Sequence, residues 1–142
     1  MRRGKAQQMK IHWKRILVAG IWSELLLLAI YLSARRFAGP AFFFIAFSAV
    51  VGTMFLAGLW TARTIKARFL FHGVLVGIAA NTVYVLLRET MAGNVPSISP
   101  IESWERFFTL VIFKTLVCSA GAYAGGRLGT KPQPNQTFMP PF

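Results

Sequence analysis

The sequence predicts an all-α membrane protein with four transmembrane helices packed in a bundle and both termini in the cytoplasm. Three observations lead to this fold class. The 142-residue chain is 55% hydrophobic, yet it carries a net charge of +12. All but two of its charged side chains lie outside four long apolar stretches. Because a soluble domain spreads its charges along amphipathic elements, this segregation is typical of a multi-pass membrane protein.

The four apolar stretches cover residues 16–32, 41–60, 69–87 and 107–125. A helix rises about 1.5 Å per residue, so roughly 20 apolar residues cross a hydrocarbon core of about 30 Å. Backbone polar groups in lipid need internal hydrogen bonds, and runs such as 25–28 and 42–44 lack the alternation of barrel strands. Each stretch is therefore predicted to be an α-helix.

The fourth helix is predicted to begin ahead of its apolar stretch. Ser99, Pro100 and Glu102 fit the N-cap, the first helical position and the third position of a capping box. The helix should start near residue 100, with a span of about 104–125. The predicted organisation is thus a basic cytoplasmic segment (1–15), a four-helix transmembrane domain (16–126) and a Pro-rich, disordered cytoplasmic tail (127–142).

The orientation follows from the distribution of Lys and Arg, which are enriched on the cytoplasmic side of membrane proteins. Eleven of them fall on the side of the two termini, and four fall on the other side. Both termini are therefore predicted to be cytoplasmic. The eleven are Arg2, Arg3, Lys5, Lys10, Lys14, Arg15, Arg63, Lys66, Arg68, Arg127 and Lys131, and the four are Arg35, Arg36, Arg88 and Arg106.

The strong positive charge raises the question of a nucleic-acid partner. The bases cluster at the ends of the spans, however, where each contributes about 1 kcal/mol of attraction to an anionic membrane surface. The predicted partner is therefore a lipid bilayer with anionic headgroups and not a nucleic acid. A second copy of the chain or another membrane protein is the further candidate.

Among the polar residues inside the predicted spans, Glu24, Asn81 and Lys114 are selected as the candidate cluster. An ionisable side chain at mid-membrane costs about 2.5–3.5 kcal/mol on insertion scales, which makes these positions candidates for function. Counting helical rise puts Glu24 about 13 Å, Lys114 about 18 Å and Asn81 about 19 Å from the inner interface. They are close enough in depth to form one intramembrane polar cluster.

Small residues share a helix face with each polar residue. Such faces allow membrane helices to approach closely, and two pairs on the third and fourth helices have the Gly-x-x-x-Gly spacing. We therefore expect the polar cluster to face the interior of the bundle. The predicted helix-packing residues are Gly20, Gly73, Gly77, Gly121 and Gly125.

The sequence leaves three interpretations of the cluster open. In the first, Glu24 and Lys114 pair, bridged by Asn81, and fix which helices pack together. In the second, Lys114 extends toward the interface while Glu24 is protonated. In the third, Glu24 is a proton or cation site of a small transporter or channel subunit.

No pattern of catalytic residues accompanies the cluster. The chain contains no Asp, no phosphate-binding Gly-rich loop and no nucleophile with a neighbouring base. His12 and His72 fall on the same side of the membrane, but two histidines do not make a metal or haem site, and Cys118 is the single cysteine. We expect no enzymatic activity, no cofactor and no metal site.

Two resemblances accompany these motifs. The segments 57–63 and 72–77, followed by a Gly-rich fourth helix ending at Arg127, resemble small bacterial four-helix membrane proteins of unknown function. That resemblance implies a bacterial cytoplasmic (inner) membrane protein and no functional residue. The segment 20–24, with Glu24 in the first helix, is similar to small multidrug-resistance transporters. This chain departs from that family in its long basic N-terminus and in Lys114.

Overall fold

The computed structural model describes residues 12–63, 65, 68–92, 94 and 104–129. These residues form four α-helices and a short 3-10 turn at Gly39–Ala41, and no strand occurs among them. All four helices are long and apolar enough to span a membrane, which confirms the predicted all-helical class and the number of spans. The helices are α1 (Trp13–Phe37), α2 (Phe42–Ala62), α3 (Phe69–Met91) and α4 (Trp104–Gly129).

The helices extend beyond the predicted spans at several ends. Lys14 and Arg15 lie in the first turn of α1 and not in a separate segment, and α4 continues past the predicted boundary at 126 to Gly129. An apolar stretch marks only the part of a helix that lies in hydrocarbon, whereas helical hydrogen bonding continues through the interface. The predicted capping box at 99–102, most of segment 1–15, and residues 130–142 of the predicted tail lie outside the described residues.

Backbone conformation explains two of the helix starts. Gly39 has a φ of +50°, a left-handed conformation that glycine adopts at little cost, and it lies in the tight connection between α1 and α2. Arg68, which precedes α3, has a φ of 56°, and its carbonyl accepts the N–H of His72. Both positions lie within a few residues of a helix end.

The four helices pack side by side and alternate in direction. α4 packs on α2 and on α3, and α1 packs on the same two helices. α1 and α4 occupy opposite corners, and no direct helix packing joins them in the described part of the chain. We call the end at which α1 and α3 begin the terminal end, and the end at which α2 and α4 begin the opposite end.

The distribution of side chains is inverted relative to a soluble protein. Large apolar residues such as Phe37, Phe43 and Phe44 are about four-fifths exposed, whereas the fully buried apolar residues are mostly small or medium-sized. Such an exterior suits hydrocarbon, because no hydrophobic force drives these side chains inward there. The interior is accordingly held by close packing of small residues.

Glycines bring α2 and α4 together in the half of the molecule nearer the terminal end. A Cβ added to Gly58 would lie 2.0 Å from the carbonyl oxygen of Cys118, and one added to Gly121 would lie 2.0 Å from that of Phe55. One turn further along, Gly125 faces Leu59 in the same way. These contacts are possible only without side chains, so the two backbones touch along this seam.

Candidate functional site

The side chains of Glu24 and Lys114 meet across the interior. The Nζ atom of Lys114 donates a hydrogen bond to Oε1 of Glu24 at 2.6 Å, and both side chains are less than 5% exposed. Because these residues stand on α1 and α4, the ion pair joins the two helices that do not pack directly on each other. Lysine has the reach for this because its charged group is carried on a flexible four-carbon stem.

A third residue completes the environment of the lysine ammonium. The Nζ atom of Lys114 lies 4.3 Å from the centroid of the Tyr84 ring, within the range of a cation–π interaction. The hydroxyl of Tyr84 accepts a hydrogen bond from Arg88, one turn later on α3. The sequence analysis did not assign Tyr84 to the cluster. The sequence feature that could have indicated Tyr84 is its position about one helical turn after Asn81.

In the structure Asn81 makes no hydrogen bond with Glu24 or Lys114, so it does not form the bridge of the first interpretation. Its Nδ2 atom donates to the carbonyl oxygen of Gly77 at 2.8 Å and to that of Val111 at 3.4 Å. The side chain folds back on its own helix because an asparagine amide competes well for a carbonyl one turn earlier. Gly77 also lets α4 come close, since an added Cβ would lie 2.8 Å from the Cα of Thr115. The Oδ1 atom of Asn81 is buried, and no described residue donates to it.

A cleft of about 260 Å³ leads to the ion pair. Arg88 and Met91 line it near the opposite end of the helices, and Glu24 and Lys114 line it at its deepest level. Aliphatic side chains from all four helices form most of its walls. The ion pair is therefore buried but adjoins a space that extends toward the opposite end.

The interior closes immediately beyond the pair. Met54 and Cys118, which come next along α2 and α4 toward the terminal end, are completely buried. The Sγ atom of Cys118 lies 3.7 Å from Sδ of Met54. Together with the contact of Gly58 with the backbone at Cys118, this packing closes the interior on the side of the terminal end.

The two histidines come together at the terminal end, away from the ion pair. The ring centroids of His12 and His72 are 6.3 Å apart. The Nδ1 atom of His72 bonds the carbonyl oxygen of Arg68 at 3.1 Å, while its Nε2 atom is buried and has no partner among the described residues. No group of three or more His, Cys, Asp or Glu side chains gathers within the described ranges.

The remaining predicted packing residues all lie at helix contacts. Gly20 faces Ala79 and Ala80 of α3, and Gly73 faces Ser119 and Ala122 of α4. Sequence reasoning did not select Gly58, although it makes one of the closest approaches. The site thus consists of a buried ion pair with a tyrosine ring beside it, a cleft on one side and a closed glycine seam on the other. Comparison of the chain with protein-family models, with curated proteins and with solved structures finds no match.

Proposed function

We propose that this chain is a structural or accessory component of a bacterial cytoplasmic membrane, in which the Glu24–Lys114 pair holds α1 in register with the other helices. The observation that carries the proposal is the 2.6 Å contact between side chains of two helices with no direct packing of their own. The ion pair forms only when Glu24 and Lys114 face each other, so it favours one rotation of α1 and one of α4. A helix of a partner membrane protein could be held in register by the same kind of ion pair.

The energetic argument rests on the cost of an unpaired charge. Removing one partner of a buried ion pair costs about 3–5 kcal/mol, whereas replacing both by apolar residues of similar size is often neutral. The pair therefore contributes more to selecting one arrangement of the helices than to the total free energy of unfolding.

A double-mutant cycle tests this proposal. We expect Lys114→Met and Glu24→Gln each to lower the free energy of unfolding by about 3 kcal/mol, and the double variant to lower it by less than either single change. The measurement is reversible unfolding in mixed detergent micelles, followed by circular dichroism. As a matched control, Lys14→Met removes an exposed base from α1, and its effect should add to that of Glu24→Gln. Equal losses in all three variants of the pair would contradict the pairing role.

The proposed orientation has both termini in the cytoplasm, next to anionic headgroups. The described bases at the terminal end support it, because Lys14, Arg15, Arg63, Arg68 and Arg127 all stand there. Exposed tryptophans mark the two ends, with Trp13 and Trp60 at the terminal end and Trp104 at the opposite end. A fluorescent protein fused after residue 142 should mature and fluoresce in cells. A periplasmic reporter should be active when fused in the loop between α1 and α2 or in the loop between α3 and α4, and inactive when fused in the loop between α2 and α3.

A small transporter or channel subunit that uses Glu24 as its proton or cation site is the second candidate. The cleft that reaches the ion pair favours it, since a transported ion needs a path to the carboxylate. The glycine seam would have to open to complete that path. This candidate predicts that Glu24→Gln keeps the fold but abolishes a pH-dependent flux in proteoliposomes. An unchanged flux, or a Glu24→Gln variant that unfolds, would count against it.

A further inference from the structure

The cleft has the size and the lining of a binding site for a small, mainly apolar ligand. A dry apolar cavity of about 150 Å³ binds benzene, so a cleft of about 260 Å³ accommodates a ligand of roughly ten non-hydrogen atoms. Side chains such as Leu27, Val50, Leu87 and Leu110 make its walls largely aliphatic. Any ligand that fits must therefore be mainly hydrophobic.

The deep end of the cleft is polar, and one atom there still lacks a hydrogen bond. An ionised carboxylate accepts at both oxygens. Among the described residues only Lys114 donates to Glu24, and it does so at Oε1; Oε2 is not one of the buried atoms left without a partner, so it retains some exposure. The ammonium of Lys114, in contrast, already has the carboxylate and the ring of Tyr84 beside it. The deep end of the cleft therefore lacks a hydrogen-bond donor for Oε2 of Glu24.

We infer that the cleft is a binding site for a small amphipathic molecule with an apolar body and a hydroxyl or ammonium head that donates to Oε2 of Glu24. The head lies at the deep end and the body lies against the aliphatic walls. We expect entry from the opposite end, because Arg88 and Met91 line the cleft there while Met54, Cys118 and the glycine seam fill the interior on the other side. This site goes beyond the packing role of the ion pair, since the pair stays intact when the ligand is bound.

The chemistry of the head group is tested with a matched set of probes on the full chain in detergent. We expect 4-butylphenol, which has a donor, to bind at least about tenfold more tightly than 4-butylanisole, in which a methyl group replaces the hydroxyl hydrogen. 4-Propylbenzylammonium separates a neutral donor from a charged one: tighter binding than the phenol assigns a cationic ligand, and weaker binding assigns a neutral one. Isothermal titration calorimetry gives the three affinities. Equal affinities for the phenol and the anisole would overturn the inference.

The location is tested with a variant that leaves the ion pair untouched. Ala49→Phe places a ring in the cleft, so it should abolish the preference for the phenol. The matched control is Ala29→Phe, which adds the same ring to an exposed position on the outer groove between α1 and α2 and should keep the preference. Thermal unfolding shows that each variant is folded. If folded Ala49→Phe retained the preference, the donor-binding site would lie elsewhere and the inference would fail.

Discussion

The two halves of this molecule use the same four helices in different ways. Toward the terminal end, α2 and α4 touch through backbone atoms at Gly58, Gly121 and Gly125, and the interior is closed. Toward the opposite end, the helices leave a cleft whose deep end is the Glu24–Lys114 pair. Both halves face the same apolar surroundings, so the difference comes from the residues between the helices.

The difference shows how a small membrane protein can combine rigidity with a polar site. Backbone contact through glycines excludes both water and ligands, and it stabilises by dispersion over many atoms. A lysine and a glutamate need room for their stems, so they separate the helices they join. A buried charge can therefore exist at the boundary of the closed half but not within it. The predictions below test this division, beginning with the largest effect.

Gly58→Ala should be among the most damaging small substitutions in the closed half. The added Cβ would lie 2.0 Å from the carbonyl oxygen of Cys118, and a backbone atom cannot rotate away. We expect a loss of about 3 kcal/mol or more in the free energy of unfolding. The matched control is Gly52→Ala on the same helix, where nothing lies within 4 Å of the added atom. That change should be neutral or stabilise by about 0.5–1 kcal/mol. Similar effects of the two changes in the detergent unfolding assay would contradict a closed seam.

Truncating a large side chain should cost more in the closed half than beside the cleft. Met54 is completely buried, so Met54→Ala should lower the free energy of unfolding by about 2–5 kcal/mol. Leu87 lines the cleft and already lacks neighbours on one side, so Leu87→Ala should cost about 1 kcal/mol. The same unfolding measurement compares them. If Leu87→Ala were the more damaging change, the cleft would be filled by protein in the native state.

The smallest effect concerns the ring beside the ion pair. Tyr84→Phe keeps the ring 4.3 Å from the lysine ammonium, whereas Tyr84→Leu removes it. The difference in unfolding free energy between these variants should be about 0.5–2 kcal/mol, the range of cation–π interactions. It should shrink in the Lys114→Met background, where no cation remains. A difference that persisted there would assign the effect to packing alone.

Much of the fold could be predicted, because apolar runs and charge segregation report directly on a membrane environment. The helix ends were less predictable: α1 begins at Trp13 and α3 ends at Met91, beyond their apolar stretches. Helical turns in the interface carry polar residues, so hydropathy does not mark them. The basic residues bear on orientation, which stays a prediction.

The site was predictable in outline and not in its contacts. Depth counting placed Glu24 and Lys114 at similar levels, but it could not tell whether side chains on two helices point toward each other. Asn81 shares that depth, yet it bonds the carbonyl of Gly77. Local competition between a backbone acceptor one turn away and a distant side chain decides such cases, and a helix wheel does not contain that information.

The sequence by itself determined that this chain forms four membrane-length helices and that the carboxylic acid and the strong base inside the spans are Glu24 and Lys114. The order of apolar and charged residues along the chain suffices for both, because the free energy of transfer to hydrocarbon is approximately a sum over individual residues. Only the tertiary structure decided that these two side chains meet, that Tyr84 stands beside them, and that a cleft reaches them from one end. Those features depend on the rotation and spacing of helices, which are set jointly by every contact between them.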